Sequence, residues 1–191
     1  MRKIRCACLL IASLMLPALP ALADQYSDTM SLFKNAGASS SFFSSSYGYA
    51  VIPTIGKGGI VVGGAYGEGR VYKEGKHVGN TSVTQLSVGF QLGGQAYSEM
   101  IFFKDQRALE EFTSGNFSFS GNVSAVAITA GASASAGTDA STASASGGKK
   151  DAATAGAYQK GMAVFVIAKG GLMYEASVSG QKFSYKAVAA K

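Results

Sequence analysis

From Ala50 onward apolar side chains return every second residue, and a chain with a hydrophobic period of two must bury one face of a sheet. The clearest stretch is "LSVGFQL", where Leu86, Val88, Phe90 and Leu92 are expected to face a core while Ser87, Gly89 and Gln91 face away. "QAYSEMIFF" (Gln95–Phe103), "GMAVFVIA" (Gly161–Ala168) and "LMYEASVSGQKFSY" (Leu172–Tyr185) read as further strands. Glu74-Gly75, Lys169-Gly170-Gly171 and Ser179-Gly180 read as the turns between them. Short connections imply mostly antiparallel pairing of about seven to nine strands.

Two regions break this period. Between Asp24 and Tyr49, Tyr26, Met30 and Phe33 recur at helical spacing, as do Phe43 and Tyr47, and "NAGA" (Asn35–Ala38) splits the region in two. These apolar groups could cover the sheet or enter a membrane interface. Further on, Asp105 is a good N-cap, Leu109 and Phe112 give an apolar stripe, Arg107 can pair with Glu111, and Gly115 offers a left-handed stop. The expected fold is α+β: a curved, mostly antiparallel sheet, sandwich- or barrel-like, with short N-terminal helices and one helix inserted between strands.

The stretch "GKGGIVVGGAYGEGRVYKEGK" (Gly56–Lys76) holds eight glycines and four cations, which raises the question of a phosphate loop. No window in it fits G-x-G-x-x-G. The Gly56-Lys57 pair has Val51 where a P-loop needs its first glycine, and strand-like residues follow where a helix should begin. The glycines read instead as sites of close packing, at Gly63-Gly64, and of a bulge, near Gly67 and Gly69.

Arg2, Lys3 and Arg5 precede the apolar run "CACLLIASLML", and Ala21-Leu22-Ala23 follows, which reads as a cleaved signal peptide over residues 1–23. Cys6 and Cys8 both lie inside it, so the exported chain is expected to lack thiols and disulfides. Without the leader's cations the formal charge of +6 falls to about +3, too mild for a nucleic-acid surface. Residues 24–191 fit one domain. Within it the Ala/Ser/Gly-rich segment at about 141–157 has no large apolar side chain and is expected to be a mobile loop.

Enzymatic chemistry finds little support. His77 is the single histidine, no serine sits in G-x-S-x-G, and zinc would need three or four ligands, mainly imidazole or thiolate, which the exported chain cannot assemble. Glu68, Glu99, Asp139 and Glu175 lie on or next to expected strands, but sequence brings no two of them together. No cofactor, metal or catalytic residue is assigned. The cations Lys57, Arg70, Lys73 and Lys76, with Lys169 near another turn, could meet anionic lipid head groups or could keep a sheet edge soluble.

"YGYAVIPTIGKGGIVVGGAYGEGRVY" (Tyr47–Tyr72) closely resembles the opening signature of the SYLF domain. The likeness continues through "SVGFQLGGQAYSEMIFF" (Ser87–Phe103), "KDQRALEEFTSGNF" (Lys104–Phe117), "NVSAVAITAGASASAGTD" (Asn122–Asp139) and "KGGLMYEASVSGQKFSY" (Lys169–Tyr185). The resemblance implies a lipid-binding domain, with Lys57 aligned to the family's lysine. The resulting expectation is a non-enzymatic, periplasmic or peripherally membrane-associated protein that meets anionic phospholipid through a basic sheet edge of Lys57, Arg70, Lys73, Lys76 and Lys169. A small outer-membrane β-barrel and a structural or interaction module of the envelope are the alternatives.

Overall fold

The structure, a computed structural model, describes residues 21–59, 62–88, 95–119, 125–128, 157–170, 178 and 180–189. Residues 1–20 of the expected leader, the Ala/Ser/Gly-rich segment up to residue 156, and Gly171 to Ser177 with Ser179 lie outside them. Three helices, α1 (Ala21–Asn35), α2 (Gly37–Ser40) and α3 (Phe42–Ser45), lead into the strands β1 (Gly48–Gly59), β2 (Val62–Lys73), β3 (Lys76–Val88) and β4 (Gln95–Phe103). Then come α4 (Gln106–Thr113), β5 (Phe117–Ser118), β6 (Val126–Ile128), β7 (Met162–Gly170) and β8 (Gln181–Ala187). The eight strands form one sheet in the order β5-β8-β3-β2-β1-β4-β7-β6. Every described pair is antiparallel except β6 with β7, and the sheet curls into a half-barrel, as the α+β reading expects.

Pro53 explains much of the curl. Proline cannot donate to a ladder, so it is tolerated in a central strand only at a bulge. Here β1 pairs Val51 with Arg70 and then Thr54 with Glu68, so two residues stand against Gly69 alone. On its other side Ile52 pairs with Glu99 and Ile55 with Tyr97, and the Ser98 hydroxyl donates to the Pro53 carbonyl at 2.7 Å. The bulge presses Ile52 and Ile55 onto β2. A Cβ on Gly67 would come within 2.7 Å of Ile55, and one on Gly69 within 2.7 Å of Ile52. Close packing is thus found at Gly67 and Gly69, where a bulge was expected, and not at Gly64. Gly64 is exposed, with its nearest neighbour at 3.9 Å.

The curl creates two apolar layers. On the inner face, Ile52, Ile55, Val83, Ile101, Phe103, Val164, Val166 and Phe183 pack with Leu109 and Phe112 of α4. Phe112 touches Phe103 of β4 at 4.9 Å and Phe183 of β8 at 5.0 Å, ring centre to ring centre, although four steps of the sheet separate those strands. On the outer face, Val51, Met100, Phe102, Phe165 and Ile167 lie under Phe33 and Phe42 of the N-terminal helices. The aromatic groups of α1 and α3 thus cover the sheet. Phe42 meets Phe102, Tyr158 and Phe165 within 5.5 Å, pairs worth about 0.5–1.5 kcal/mol each beyond their burial.

The turns follow the chemistry of the sequence. Glu74 (φ 49°) and Gly75 (φ 75°) both take left-handed conformations, the geometry of a two-residue hairpin, and Lys160 (φ 50°) with Gly161 (φ 84°) repeats it before β7. Asp105 caps α4 by accepting from the Ala108 amide at 2.9 Å, and Gly115 (φ 94°) ends it.

Candidate functional site

The five cations expected to make one basic edge are not on an edge. β1, β2 and β3 each have a hydrogen-bonded neighbour on both sides, and the outermost strands are β5 and β6. Strand register also separates the charges. Lys57 pairs with Ala65, near the β1–β2 connection, whereas Lys73 and Lys76 face each other across the Glu74-Gly75 turn. Lys73 stands eight residue steps along β2 from Ala65, about 26 Å of strand at ~3.3 Å per residue.

Two of the five hold the N-terminal helix to the outer face. The Arg70 guanidinium lies over the Tyr26 ring, 4.1 Å from its centre, a contact worth about 0.5–1 kcal/mol. Lys169 donates to Thr54 Oγ1 at 3.0 Å, and Gln25 of α1 donates to the same oxygen at 3.1 Å. Lys73 sits over the Tyr47 ring at 5.0 Å, and Tyr47 is the main cause of the upward shift of its ammonium pKa. His77 Nε2 lies 3.0 Å from both the Gly79 carbonyl and Asn80 Oδ1. Glu68 and Glu99 lie on opposite faces of the sheet, one exposed and the other buried, while Asp139 and Glu175 are outside the described residues. Among the described residues no cluster of His, Cys, Asp or Glu could hold a metal ion.

A different surface emerges from the part of the sheet the helices leave bare. The outer faces of β3 and β8 and of β2 from Gly64 to Glu68 are open, while Arg70 and Tyr72 of β2 meet the helices at the border, and the rows are fixed by register. Lys182 pairs with Thr84 and Thr84 with Tyr66; Ser184 with Ser82 and Ser82 with Glu68; Lys186 with Asn80 and Asn80 with Arg70. Beyond the first row Leu86 pairs with Gly64. Leu86 is 82% exposed and Tyr66 54% exposed, and Lys182 and Lys186 are exposed as well. Tyr66 donates to Glu68 at 2.7 Å, and that carboxylate raises the phenol's pKa.

Leu86 corrects the expectation that its face of β3 is the buried one. Gly79, Thr81, Val83 and Gln85 point inward, so the alternation turns Leu86 outward; the side chains of residues 87–94 are not described. Lys182 and Lys186 were missed among the candidate cations. Their signal is in "QKFSYKA", where Gln181, Phe183 and Tyr185 alternate with Lys182, Ser184 and Lys186, so that one strand face is basic and polar.

The combination is a solvent-facing sheet surface with cations at the ends of two rows, the Glu68 carboxylate in the row between them, and Tyr66 and Leu86 together on the side away from Arg70 and Lys186. It can attract an anionic surface and place a leucine and a tyrosine into it.

Comparison with known proteins bears on what such a surface meets. The family model Ysc84, described as Las17-binding protein actin regulator, matches residues 84–189. Beta cell expansion factor A from Aeromonas veronii is 26% identical over 156 residues, covering 80% of this chain and 51% of that protein. The chain therefore spans about half the length of the curated relative it matches.

Proposed function

The chain belongs to the Ysc84 family of SYLF-domain proteins, and from that premise we propose that it is a non-enzymatic lipid-binding protein of the bacterial cell envelope. It contacts anionic phospholipid with the bare outer face of β2, β3 and β8. The carrying observation is the exposure of Leu86 and Tyr66 on the same face as Lys182, Lys186 and Arg70. Soluble proteins scatter single apolar residues over their surface. Here, though, Leu86 and Tyr66 share a face and adjoin a cationic row, which suits a membrane interface.

The magnitudes support reversible docking. Each cation near an anionic surface contributes about 1 kcal/mol, and burying one leucine adds roughly 1.5–3 kcal/mol. The sum of about 4–6 kcal/mol corresponds to weak, salt-sensitive association. Lys57, at the β1–β2 end of the sheet, would add to it only if the molecule tips toward that end. Actin is not carried over from the family description, because a chain exported behind the leader at residues 1–23 does not share its compartment. A transmembrane barrel is disfavoured, since α1 to α3 cover the outer face of β1, β4 and β7 where lipid would have to lie.

Vesicle flotation tests this reading. The purified protein is expected to float with vesicles containing phosphatidylglycerol at low salt and to stay behind with vesicles of phosphatidylcholine alone. Failure to float in either case would refute it.

A further inference from the structure

Inside the curled sheet lies one group of polar side chains that lipid docking on the outer face does not use. Gln181 of β8 donates from Nε2 to Tyr97 Oη at 3.1 Å and to Glu99 Oε2 at 2.8 Å, both on β4. Glu99 and Gln181 are fully buried. Among the described residues, Glu99 Oε1 and Gln181 Oε1 have no hydrogen-bond partner. Because β8 and β4 are four steps apart in the sheet order, these bonds do not belong to the ladder; they cross the interior and join the two arms of the half-barrel. The same arms are also joined by the apolar inner layer, in which Phe112 touches both Phe103 and Phe183.

We propose that Gln181, Tyr97 and Glu99 form a proton-controlled clasp across the inside of the sheet, closed while Glu99 is neutral and loosened when it ionises, giving access to the apolar interior. The surroundings explain why ionisation acts here. Glu99 pairs with Ile52 on β1 and Val166 on β7, and across the interior it meets Gln181. Among the described residues the other inward titratable groups are Tyr97 beside it, Lys57 at one end, and Tyr47, Lys73, Lys76 and Tyr185 toward the other. The helix α4 turns Ala108, Leu109 and Phe112 inward and leaves Asp105, Arg107, Glu110 and Glu111 exposed. No cation is placed to balance a carboxylate at this point. Burial accordingly pushes the Glu99 carboxyl up to about 7 from 4.5. The Gln181 amide donates more strongly to a carboxylate and partly opposes that shift, so what loosens the clasp on ionisation is the demand of an uncompensated buried charge for water, not loss of this bond.

A carboxyl whose pKa is higher in the folded than in the unfolded chain binds its proton more tightly when folded. Its stabilising contribution is complete below the unfolded value, falls as pH rises toward the folded value, and is flat above it. The clasp thus holds in mildly acidic surroundings and weakens across neutrality, whether or not the outer face binds lipid.

The test is the pH dependence of apolar-dye binding to the purified protein between pH 5 and 8, with Glu99→Gln as the neutral counterpart of similar shape. Wild type is expected to gain dye fluorescence several-fold with a midpoint near 7, and Glu99→Gln to remain low throughout. A flat wild-type profile, or an equal rise in Glu99→Gln, overturns the proposal. If Glu99→Gln fails to fold, carbon NMR of the wild-type carboxyl groups decides. Glu99 should titrate well above Glu110, with the Gln181 side-chain amide shifting on the same curve; titration together with Glu110, or an amide that does not respond, overturns it.

Discussion

Individual residues decide where this sheet bends. The glycine-rich stretch was legible as bent sheet because a nucleotide loop needs a spacing and a following helix that it lacks. Which glycines are indispensable was not legible, because the answer lies in the neighbouring strand, where Pro53 forces the bulge that lowers Ile52 and Ile55 onto Gly67 and Gly69. Gly69→Val should therefore cost about 2–3 kcal/mol or more in urea unfolding, since a new side chain meets both the Val51 carbonyl and Ile52 at 2.7 Å. Gly64→Val should stay within about 0.5 kcal/mol of wild type, because it opens toward solvent. Equal losses at the two positions would contradict the bulge account.

At the scale of elements, α4 was readable almost completely, since its cap, apolar stripe and stop are local in sequence. Asp105→Ala should cost about 1 kcal/mol by removing the acceptor for the Ala108 amide. Phe112→Ala should cost about 3–5 kcal/mol, because that ring packs on both β4 and β8. Thermal or urea denaturation ranks the two, and a larger loss from the cap than from the ring would be unexpected. The strand faces were less legible. On β3 the run Leu86, Val88, Phe90, Leu92 has the pattern of a core face, yet Val83 and Gln85 hold the inner positions and Leu86 faces solvent. Alternation fixes which residues share a face, and only the packing of the neighbouring elements decides which face is buried. The same alternation in β8, followed through, would have placed Lys182 and Lys186 on the same polar face, with Ser184 between them.

For the whole molecule, the closure of the sheet depends on contacts that sequence patterns do not reveal: Gln181 and Glu99 stand 82 residues apart. Sequence reading left Glu99 as one carboxylate among several, whereas in the fold it is the buried one, and its raised pKa makes stability depend on pH. With the carboxyl pushed up to about 7 from 4.5, and about 1.4 kcal/mol per pKa unit, the folded state should lose on the order of 3 kcal/mol between those pH values. Urea midpoints across that range should fall for wild type and change far less for Glu99→Gln. The cations were legible as a class but not as a surface, because register distributes Lys57, Lys73 and Lys76 to opposite ends and leaves Lys182, Lys186 and Arg70 on one face. The central claim is that this outer face meets the membrane. A nitroxide attached through Leu86→Cys, in the chain lacking residues 1–23 and with them Cys6 and Cys8, tests it by collision with a water-soluble relaxation agent. With vesicles containing phosphatidylglycerol the label should become shielded, while one at Gln106→Cys on α4 stays accessible. A protein that floats with those vesicles while its Leu86→Cys label remains as accessible as in solution would contradict the account.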